Sequence, residues 1–389
     1  MIRHAAIIVE VIAIAGALSS LGYYFLCLWS SVRFLRERQA GEGARPTQPM
    51  PGVSILKPLK GTDPQMYESL RSHCLQDYPE YEIIFGVSEE HDPALQFVER
   101  IKAEFPKQRI QIVLCSRQMG ANTKISNLAQ MLPTSHYEHL IVNDSDIRVP
   151  PDYLRQVVTP LADAKIGMVT CFYRGIASPT LGSRLESLGI STDFVAGVLA
   201  ARQLEKGIHF GLGSTLAFRR RDLDSIGGFE ALADYLGDDY ELGRRISALG
   251  LTIQLSDIVV ETFLPPYSLR EFLQHQLRWA RNIRDSRRGG YLGLGLTFGI
   301  PWALLGLALS RGTGWAWALL ALVAVLRAAL AVTVGWTVLR DRQVFRMLWL
   351  IPLRDLVALG IWIAGFAGHT ITWRGNKFKL LNGKLVHWK

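Results

Sequence analysis

The stretch His139-Leu-Ile-Val-Asn-Asp-Ser-Asp146 is the most telling part of this chain. An apolar, β-type run ends in two carboxylates, Asp144 and Asp146, one residue apart. Such a pair at a strand end suits a divalent cation carrying a diphosphate. Hard cations take oxygen ligands and leave positions open for substrate phosphates. An isolated Asp-x-Asp would mean little. Here it belongs to a series spread along the chain: Lys57-Pro-Leu-Lys-Gly61, Asp92, Lys124-x-x-Asn127, Asp238-Asp239 and Arg278-Trp279.

Outward from that strand, short apolar runs alternate with helical patterns. Strands are expected at residues 53–57, 82–88, 110–115, 139–143, 167–172, 214–218 and 252–256. Helices are expected at 66–74, 94–105, 125–132, 153–161, 181–201 and 240–249. In the second of these, Leu95, Val98, Ile101 and Phe105 recur at near-helical spacing. Strand-helix alternation implies an α/β domain with a Rossmann-like, mainly parallel sheet covered on both faces. Ligands bind at the carboxyl ends of such strands.

The 389 residues are 49% hydrophobic, and the excess lies at the ends. Residues 5–32 form an apolar run whose only charge is Glu10. It is too long for a signal-peptide core and lacks a small-residue cleavage pattern, so a retained anchor over 1–38 is expected. Runs at 291–309, 315–338 and 347–372 each approach the ~20 residues needed to cross a bilayer. The resulting plan is an anchor, a linker at 39–52, a catalytic domain at 53–267, an amphipathic interfacial helix at 268–290, a transmembrane region at 291–372 and a basic tail at 373–389.

The net charge of +9 does not point to nucleic acid, because much of it flanks the apolar runs. Arg33, Arg36 and Arg38 follow the first run; Arg278, Arg281, Arg284, Arg287 and Arg288 precede the second. That positive-inside pattern places the catalytic domain in the cytoplasm, on a multi-pass protein of the cell inner membrane. Three C-terminal crossings would leave the basic tail outside, so one run is expected to be re-entrant or interfacial. Pro352, Arg354 and Asp355 make 347–372 the candidate. The four cysteines lack metal or disulfide spacing, as in a reducing compartment.

Several residues admit both a chemical and a structural reading. Asp92 stands beyond strand 82–88, where it can meet a base or ribose; followed by Pro93, it is equally a helix N-cap. Lys57 and Lys60 read as solvated lysines sooner than as phosphate ligands. Lys124 and Asn127 lie a turn apart on one helix face, next to a diphosphate or simply on an ordinary helix. Asp238-Asp239 suits a helix N-terminus through the macrodipole, and also supplies a carboxylate base. Gly211-Leu-Gly-Ser-Thr215 is either a turn or a close backbone approach to a sugar.

Taken jointly, Val53-Ser-Ile-Leu-Lys-Pro-Leu-Lys-Gly61, Asp77-Tyr-Pro, His91-Asp-Pro-Ala94, Lys124-Ile-Ser-Asn-Leu128, Asp144-Ser-x-Ile-Arg148, Gly227-Gly-Phe229, Asp238-Asp-Tyr240, Arg278-Trp279 and Thr372-Trp-Arg374 resemble the ceramide glucosyltransferases. These are membrane-bound, family 2-type glycosyltransferases of GT-A fold, whose bacterial relatives include hopanoid-associated enzymes. The resemblance implies that Asp92 contacts the uridine of a UDP-sugar and that Lys124 and Asn127 line the same pocket. Asp144 and Asp146 would hold Mg2+ or Mn2+ and the diphosphate. Asp239 would be the general base, and Arg278 and Trp279 would close over the diphosphate and acceptor. Ceramide enzymes often carry glycine at the second acidic position; Asp146 restores the acid here. His275 departs from the Gln/Arg-x-x-Arg-Trp pattern, and it is expected to keep a hydrogen-bonding role.

The expected activity is inverting transfer of a hexose, glucose or N-acetylglucosamine, from a UDP-sugar to a lipid hydroxyl. A processive polysaccharide synthase is the alternative within the enzymes; few C-terminal spans argue against a polymer channel. Outside them, the alternative is a transport or lipid-binding protein with a degenerate fold, favoured only by Arg327, Arg354 and Asp355 within the apolar runs.

Overall fold

The computed structural model describes residues 2–41, 50–373 and 376–387. Most of the expected linker, together with Arg374, Lys389 and the end of the Thr372-Trp-Arg374 motif, lies outside them. The chain divides into two compact units, residues 43–176, 204–265 and 377–389 in one, and 1–42, 177–203 and 266–376 in the other.

In the first unit every expected strand forms. Their ranges are β1 (Val53–Pro58), β2 (Tyr81–Val87), β3 (Arg109–Leu114), β4 (His139–Val142), β5 (Ile147–Arg148), β6 (Ile166–Ile176), β7 (Leu216–Arg219) and β8 (Thr252–Phe263). They build one sheet ordered β3-β2-β1-β4-β7-β6-β8-β5. The first four run parallel, so β1, β2 and β4 deliver their carboxyl ends to one edge. The sheet then turns mixed: β7 is antiparallel to both β4 and β6, and β5 is antiparallel to β8. Central strands are buried along their length, with Val53, Ile55, Leu56, Ile83, Ile84 and Phe85 sealed from solvent, as a sheet covered on both faces requires.

Two strands outrun their expected ends. β6 and β8 continue in parallel to Ile176 and Phe263, with a register shift between Cys171 and Phe172. The two-residue β5 pairs with this extension, Ile147 opposite Thr262. Residues 376–387, expected only as basic tail, form an antiparallel hairpin of Asn376–Leu381 and Lys384–His387. Asn382 and Gly383 make its turn with positive φ, as a tight hairpin turn demands. The hairpin is tied to its unit by Leu236 N–H to Gly383 O (3.0 Å) and Leu385 N–H to Asp234 O (2.7 Å).

Glycine is demanded where the chain crosses itself beneath the sheet. A methyl group on Gly243 would stand 2.3 Å from the Gly211 backbone nitrogen. The helix Asp238–Ala248 is thereby pressed against the loop that leads into β7.

In the second unit three helical spans are long and apolar enough to cross a membrane: 6–40, 314–338 and 343–366. The expected single helix at 181–201 is instead Leu181–Gly189 and Val195–Leu204 joined by a π-helical turn, Ile190–Phe194. The run at 291–309 is also broken, into Arg288–Leu294 and Gly299–Leu309 bent by 46°. The open backbone at the break finds partners on the N-terminal helix: Ser20 donates to Leu296 O (2.8 Å) and the Tyr24 hydroxyl accepts from Gly299 N–H (3.1 Å). A break within apolar surroundings persists only when its freed groups are satisfied in this way. The run marked by Pro352, Arg354 and Asp355 is helical over 343–366, with a 3-10 turn at Leu348–Leu350, and is long and apolar enough to cross a membrane. Its Pro352 falls in the first turn of Ile351–Phe366, where a missing N–H costs no helical bond, and both charges are buried in protein.

The amphipathic helix forms as Leu269–Ser286, with a capping box between Ser268 and Glu271. Leu269, Leu273 and Ile283 on it are exposed. Two arginines of this helix turn to the protein. Arg284 is buried and donates to Gly365 O (2.6 Å) and Gly368 O (2.9 Å), and Arg281 donates to Ala367 O (2.8 Å). Both satisfy carbonyls at the end of Ile351–Phe366.

Gly243→Ala tests the crossing. The added methyl must displace backbone, so overpacking should lower stability by about 1–3 kcal/mol, read as a fall in thermal midpoint, with Gly289→Ala, whose methyl would meet open space, as a comparison.

Candidate active site

The end of β4 is locked before it reaches its acids. Asn143 is buried and donates to Tyr153 Oη (2.9 Å) and to Ser214 O (2.7 Å). One side chain thus joins the strand end to the Gly211–Thr215 loop. Beyond it, Asp144 and Asp146 point to different partners. Asp144 Oδ1 receives the Lys124 ammonium at 2.8 Å. Asp146 accepts the hydroxyl of Thr262, on the extension of β8, while Ser69 donates to its carbonyl (3.3 Å).

Lys124 is the pivot of the site. It leads the helix Thr123–Met131, whose N-cap Asn122 accepts from Ile125 N–H (3.2 Å). Its Nζ also meets Asp238 Oδ2 at 3.0 Å. Burial on its own would lower the lysine pKa, but Asp144 and Asp238 outweigh burial and hold it well above the usual value.

Asp238 is therefore committed to Lys124 and to Asn122 Nδ2 (3.4 Å). Asp239 is held more loosely: Oδ1 accepts from its own helix at Tyr240 N–H (2.8 Å). A methyl on Gly213 would lie 3.1 Å from Asp239 Oδ2 and 3.6 Å from Asp144 Oδ2. Both carboxylates keep one oxygen aimed at the point left open by Gly213. Burial, then the Asp238 charge, push Asp239 up to about 6, with Lys124 acting against them.

The remaining expected residues are placed as follows. Asp92 is buried and accepts from Gly61 N–H (2.9 Å) and from Ala94 N–H (2.9 Å). Its bond to Ala94 closes a turn just before the helix Leu95–Glu104, whose N-cap is Ala94, and its bond to Gly61 ties the Lys57–Gly61 loop to the segment after β2. Asn127 is buried and accepts from Ser88 Oγ (3.0 Å), which fixes the neighbouring loop. His275, Arg278 and Trp279 lie in the other unit, on Leu269–Ser286. Trp279 Nε1–H donates to His275 Nε2 (3.1 Å), so His275 carries its proton on Nδ1 and gives it to Glu186 (2.9 Å).

Lys57 corrects the reading of a solvated lysine. It is fully buried, donates to Asp144 O (2.9 Å) and stands 3.5 Å from His73 Nε2. Burial lowers its pKa to about 7 against the pull of Asp146, Asp144 and Asp63. Ser145, between the two acids, bonds to Asp63 (2.5 Å). Thr262 and Asp63 escaped the sequence reading. The β-branched run Ile258-Val-Val-Glu-Thr262 was the available signal for the longer β8 that brings Thr262 in.

A divalent cation fits this donor set. Asp146 is raised to about 7, first by burial and then by the Asp144 charge, and a cation placed beside the two acids would offset both effects. Among the described residues no three His, Cys, Asp or Glu side chains cluster into a complete metal cage. Two carboxylates completed by substrate phosphates are the usual arrangement for Mg2+.

The fold matches a mannosyltransferase from Pyrobaculum calidifontis in complex with GDP-Man and Mn2+, with a TM-score of 0.56 at 20% identity over 92% of this chain and 99% of that one. Fold and sheet are those of a GT-A glycosyltransferase. The sequence profile of glycosyl transferase family 21 matches residues 12–386, and the chain belongs to that family. It is a glycosyltransferase. Ceramide glucosyltransferase 3 of Caenorhabditis elegans is 25% identical over 86% of this chain and 74% of its own length. Ceramide glucosyltransferase of Komagataella phaffii is 25% identical over 61% of this chain and 58% of its own length.

A raised pKa on Asp239 has a stability consequence. The folded state binds its proton more tightly than the unfolded chain, so ionising it as pH rises from about 4 through about 6 removes stability. Asp239→Asn should unfold at a higher temperature than the parent at pH 7.5, and this advantage should vanish near pH 4. Thermal melts across that range check the sign.

Proposed function

We propose that this membrane-bound glycosyltransferase moves a hexose, glucose or N-acetylglucosamine, from a UDP-sugar to a lipid hydroxyl such as that of ceramide or a hopanoid, with inversion at the anomeric carbon. The observation that supports it most is the division of labour between the acids. Asp144 and Asp239 each have one oxygen held by protein and one aimed at Gly213.

In this reading Asp144 and Asp146 hold Mg2+ or Mn2+, which would supply positive charge to the departing diphosphate. Lys124 holds the Asp144 carboxylate in place, and Lys57 fixes the loop through the Asp144 carbonyl. Asp239 takes the proton of the acceptor hydroxyl. Its raised pKa makes it a better proton acceptor than an exposed aspartate while leaving it ionised at neutral pH. One base acting without a covalent nucleophile implies direct displacement, hence inversion. Asp92, Lys124 and Asn127 serve the nucleotide side, Asp92 and Asn127 by fixing the loops around it. His275, Arg278 and Trp279 serve the acceptor side.

Membranes carrying the full chain, given radiolabelled UDP-glucose or UDP-N-acetylglucosamine, should yield one labelled lipid bearing a single sugar, and EDTA should abolish it. Asp239→Asn should reduce transfer by at least ~100-fold, as expected for a lost general base, while UDP binding persists. A ladder of longer products, or equal collapse of UDP binding, would reject the assignment.

We also propose an orientation with the catalytic unit cytoplasmic, at the cell inner membrane, following Arg33, Arg36 and Arg38. The hairpin at 376–387 is hydrogen-bonded to Asp234 and Leu236 of the same unit. An even number of crossings must therefore separate residue 288 from residue 376. Spans 314–338 and 343–366 supply two, and the bent pair 288–309 then enters and leaves on one side. Single cysteines at Ser310 and Arg340, in a chain whose native cysteines are buried, should be labelled by a membrane-impermeant maleimide from opposite faces, Ser310 from the cytoplasm. Labelling of both from one face would remove this topology.

A further inference from the structure

Four ionisable side chains gather at one place in the second unit: Arg327, Arg354 and Asp355 on the apolar spans and Asp193 on the turn Ile190–Phe194. Arg327 is 3% exposed and Asp355 4%; Arg327 donates through Nε to Asp355 Oδ2 (3.1 Å) and through Nη2 to Asp355 Oδ1 (2.9 Å). Its Nη2 also bonds to Asp193, on the π-helical turn Ile190–Phe194. Arg354, 7% exposed, reaches Gln276 Oε1 (3.2 Å) and Asp193 Oδ2 (3.5 Å) through Nη2. Two arginines and two aspartates leave the group electrically balanced.

Balanced charge has not satisfied the hydrogen bonds. Arg327 Nη1, Arg354 Nε and Arg354 Nη1 are buried without any partner. All three are donors, and a guanidinium has no acceptor atoms. An unmet donor away from water is costly, most of all in a membrane-embedded unit. The ion pairs account for the packing of the three helical segments; they leave these nitrogens unexplained. The cluster opens at Asp193, whose side chain is 33% exposed. The next residue, Phe194, packs edge-on against Trp279 (6.2 Å between rings), and Gln276 lies one turn before Trp279 on the same helix.

We propose that this cluster is the binding site for the uncharged, oxygen-bearing head of the acceptor lipid. Arg354 Nε and Nη1 and Arg327 Nη1 donate to its hydroxyl or carbonyl oxygens, and Asp193 accepts from a hydroxyl. The planar fork of arginine suits paired oxygens. Charge balance selects a neutral head over a phosphate, whose negative charge would find no excess of cation here. The π-helical turn is the device that turns Asp193 toward both arginines, and such turns recur at binding sites. The inference rests on the acceptor being a lipid, as proposed above.

The test uses the full chain in phosphatidylcholine nanodiscs and three probes: fluorescent ceramide, a fluorescent hydroxylated triterpenoid and phosphatidic acid. The parent should bind one of the two neutral probes saturably, with phosphatidic acid a poor competitor. Arg354→Gln should weaken that binding by about tenfold or more, the loss expected for charge-assisted hydrogen bonds. Gly189→Ala retains the charge, but its methyl would fall 2.5 Å from Arg354 Nη2 and displace the guanidinium; it should weaken binding in the same direction. UDP affinity should be retained in both variants, which also reports that they fold. Parental lipid affinity in both variants, failure of the parent to bind either neutral probe, or preference for phosphatidic acid would each overturn the proposal. Arg354-dependent lipid binding with no labelled glycolipid product would instead reject the transfer reaction and leave the headgroup site standing.

Discussion

One buried ammonium organises the catalytic unit. Lys124 lies between Asp144 at the end of β4 and Asp238 at the start of the following acidic helix, within 3.0 Å of both. These three positions come from separate elements, and Asn122 N–H to Ala233 O (2.7 Å) joins the backbones that carry Lys124 and Asp238. Removing one partner from a buried ion pair costs ~3–5 kcal/mol, because the other charge is left stranded. Here the loss would strand two carboxylates next to Asp239. The position of the free oxygen on Asp144 therefore depends on a contact that touches no reacting atom.

The same contact explains how neighbouring, chemically identical acids come to differ. Asp238 and Asp239 are consecutive, yet the helical turn sends only Asp238 to Lys124 and Asn122. Asp239 is left beside its partner's charge in a buried setting, and its pKa rises. Asp144 and Asp146 divide in the same manner: one has a cation, the other a single hydroxyl from Thr262 and a pKa near 7. Pairs of acids pushed apart by their surroundings are what the proposed division into cation ligand and general base requires. Gly213 completes the arrangement by omission, since any side chain there would fill the space both free oxygens face.

The parallel half of the sheet was legible because its central strands are buried on both faces and so read as apolar runs, Leu140–Val142 and, interrupted only by Ser54, Val53–Leu56 among them. The acids were legible because each follows such a run or opens a helix. What stayed hidden depends on pairing across distance. β5 is two residues long and exists only because β8 continues past Ser256 to meet it, so no local pattern announces it. Lys57 carries no sign in the sequence that its charge will be buried under Asp144. The hairpin at 376–387 is masked by its own lysines, which sit on its outer face while Phe378, Leu380 and Leu385 are buried. The π-helical turn at Ile190–Phe194 keeps helical periodicity almost intact, and one extra residue per turn is below what spacing can resolve.

Charge within the apolar runs suggested at first a pathway for something to cross. The pairing of Arg327 with Asp355 and Asp193 argues otherwise, because a transport route needs ionisable groups strung along its length and these are gathered at one point. Gathered charge of zero sum does two things in a membrane-embedded unit. It specifies which faces of 314–338 and 343–366 meet the Leu181–Leu204 segment, since any other register would strand four charges in an apolar setting. It also leaves polar capacity unspent, because the two carboxylates meet only Nε and Nη2 of Arg327 and Nη2 of Arg354, and the other nitrogens keep unmet donors. A cluster built for packing alone would be better served by apolar side chains of the same volume. Arginines with open nitrogens, one of them bonded to Gln276 on the helix that carries Trp279, are what the proposed polar guest requires and a structural staple does not.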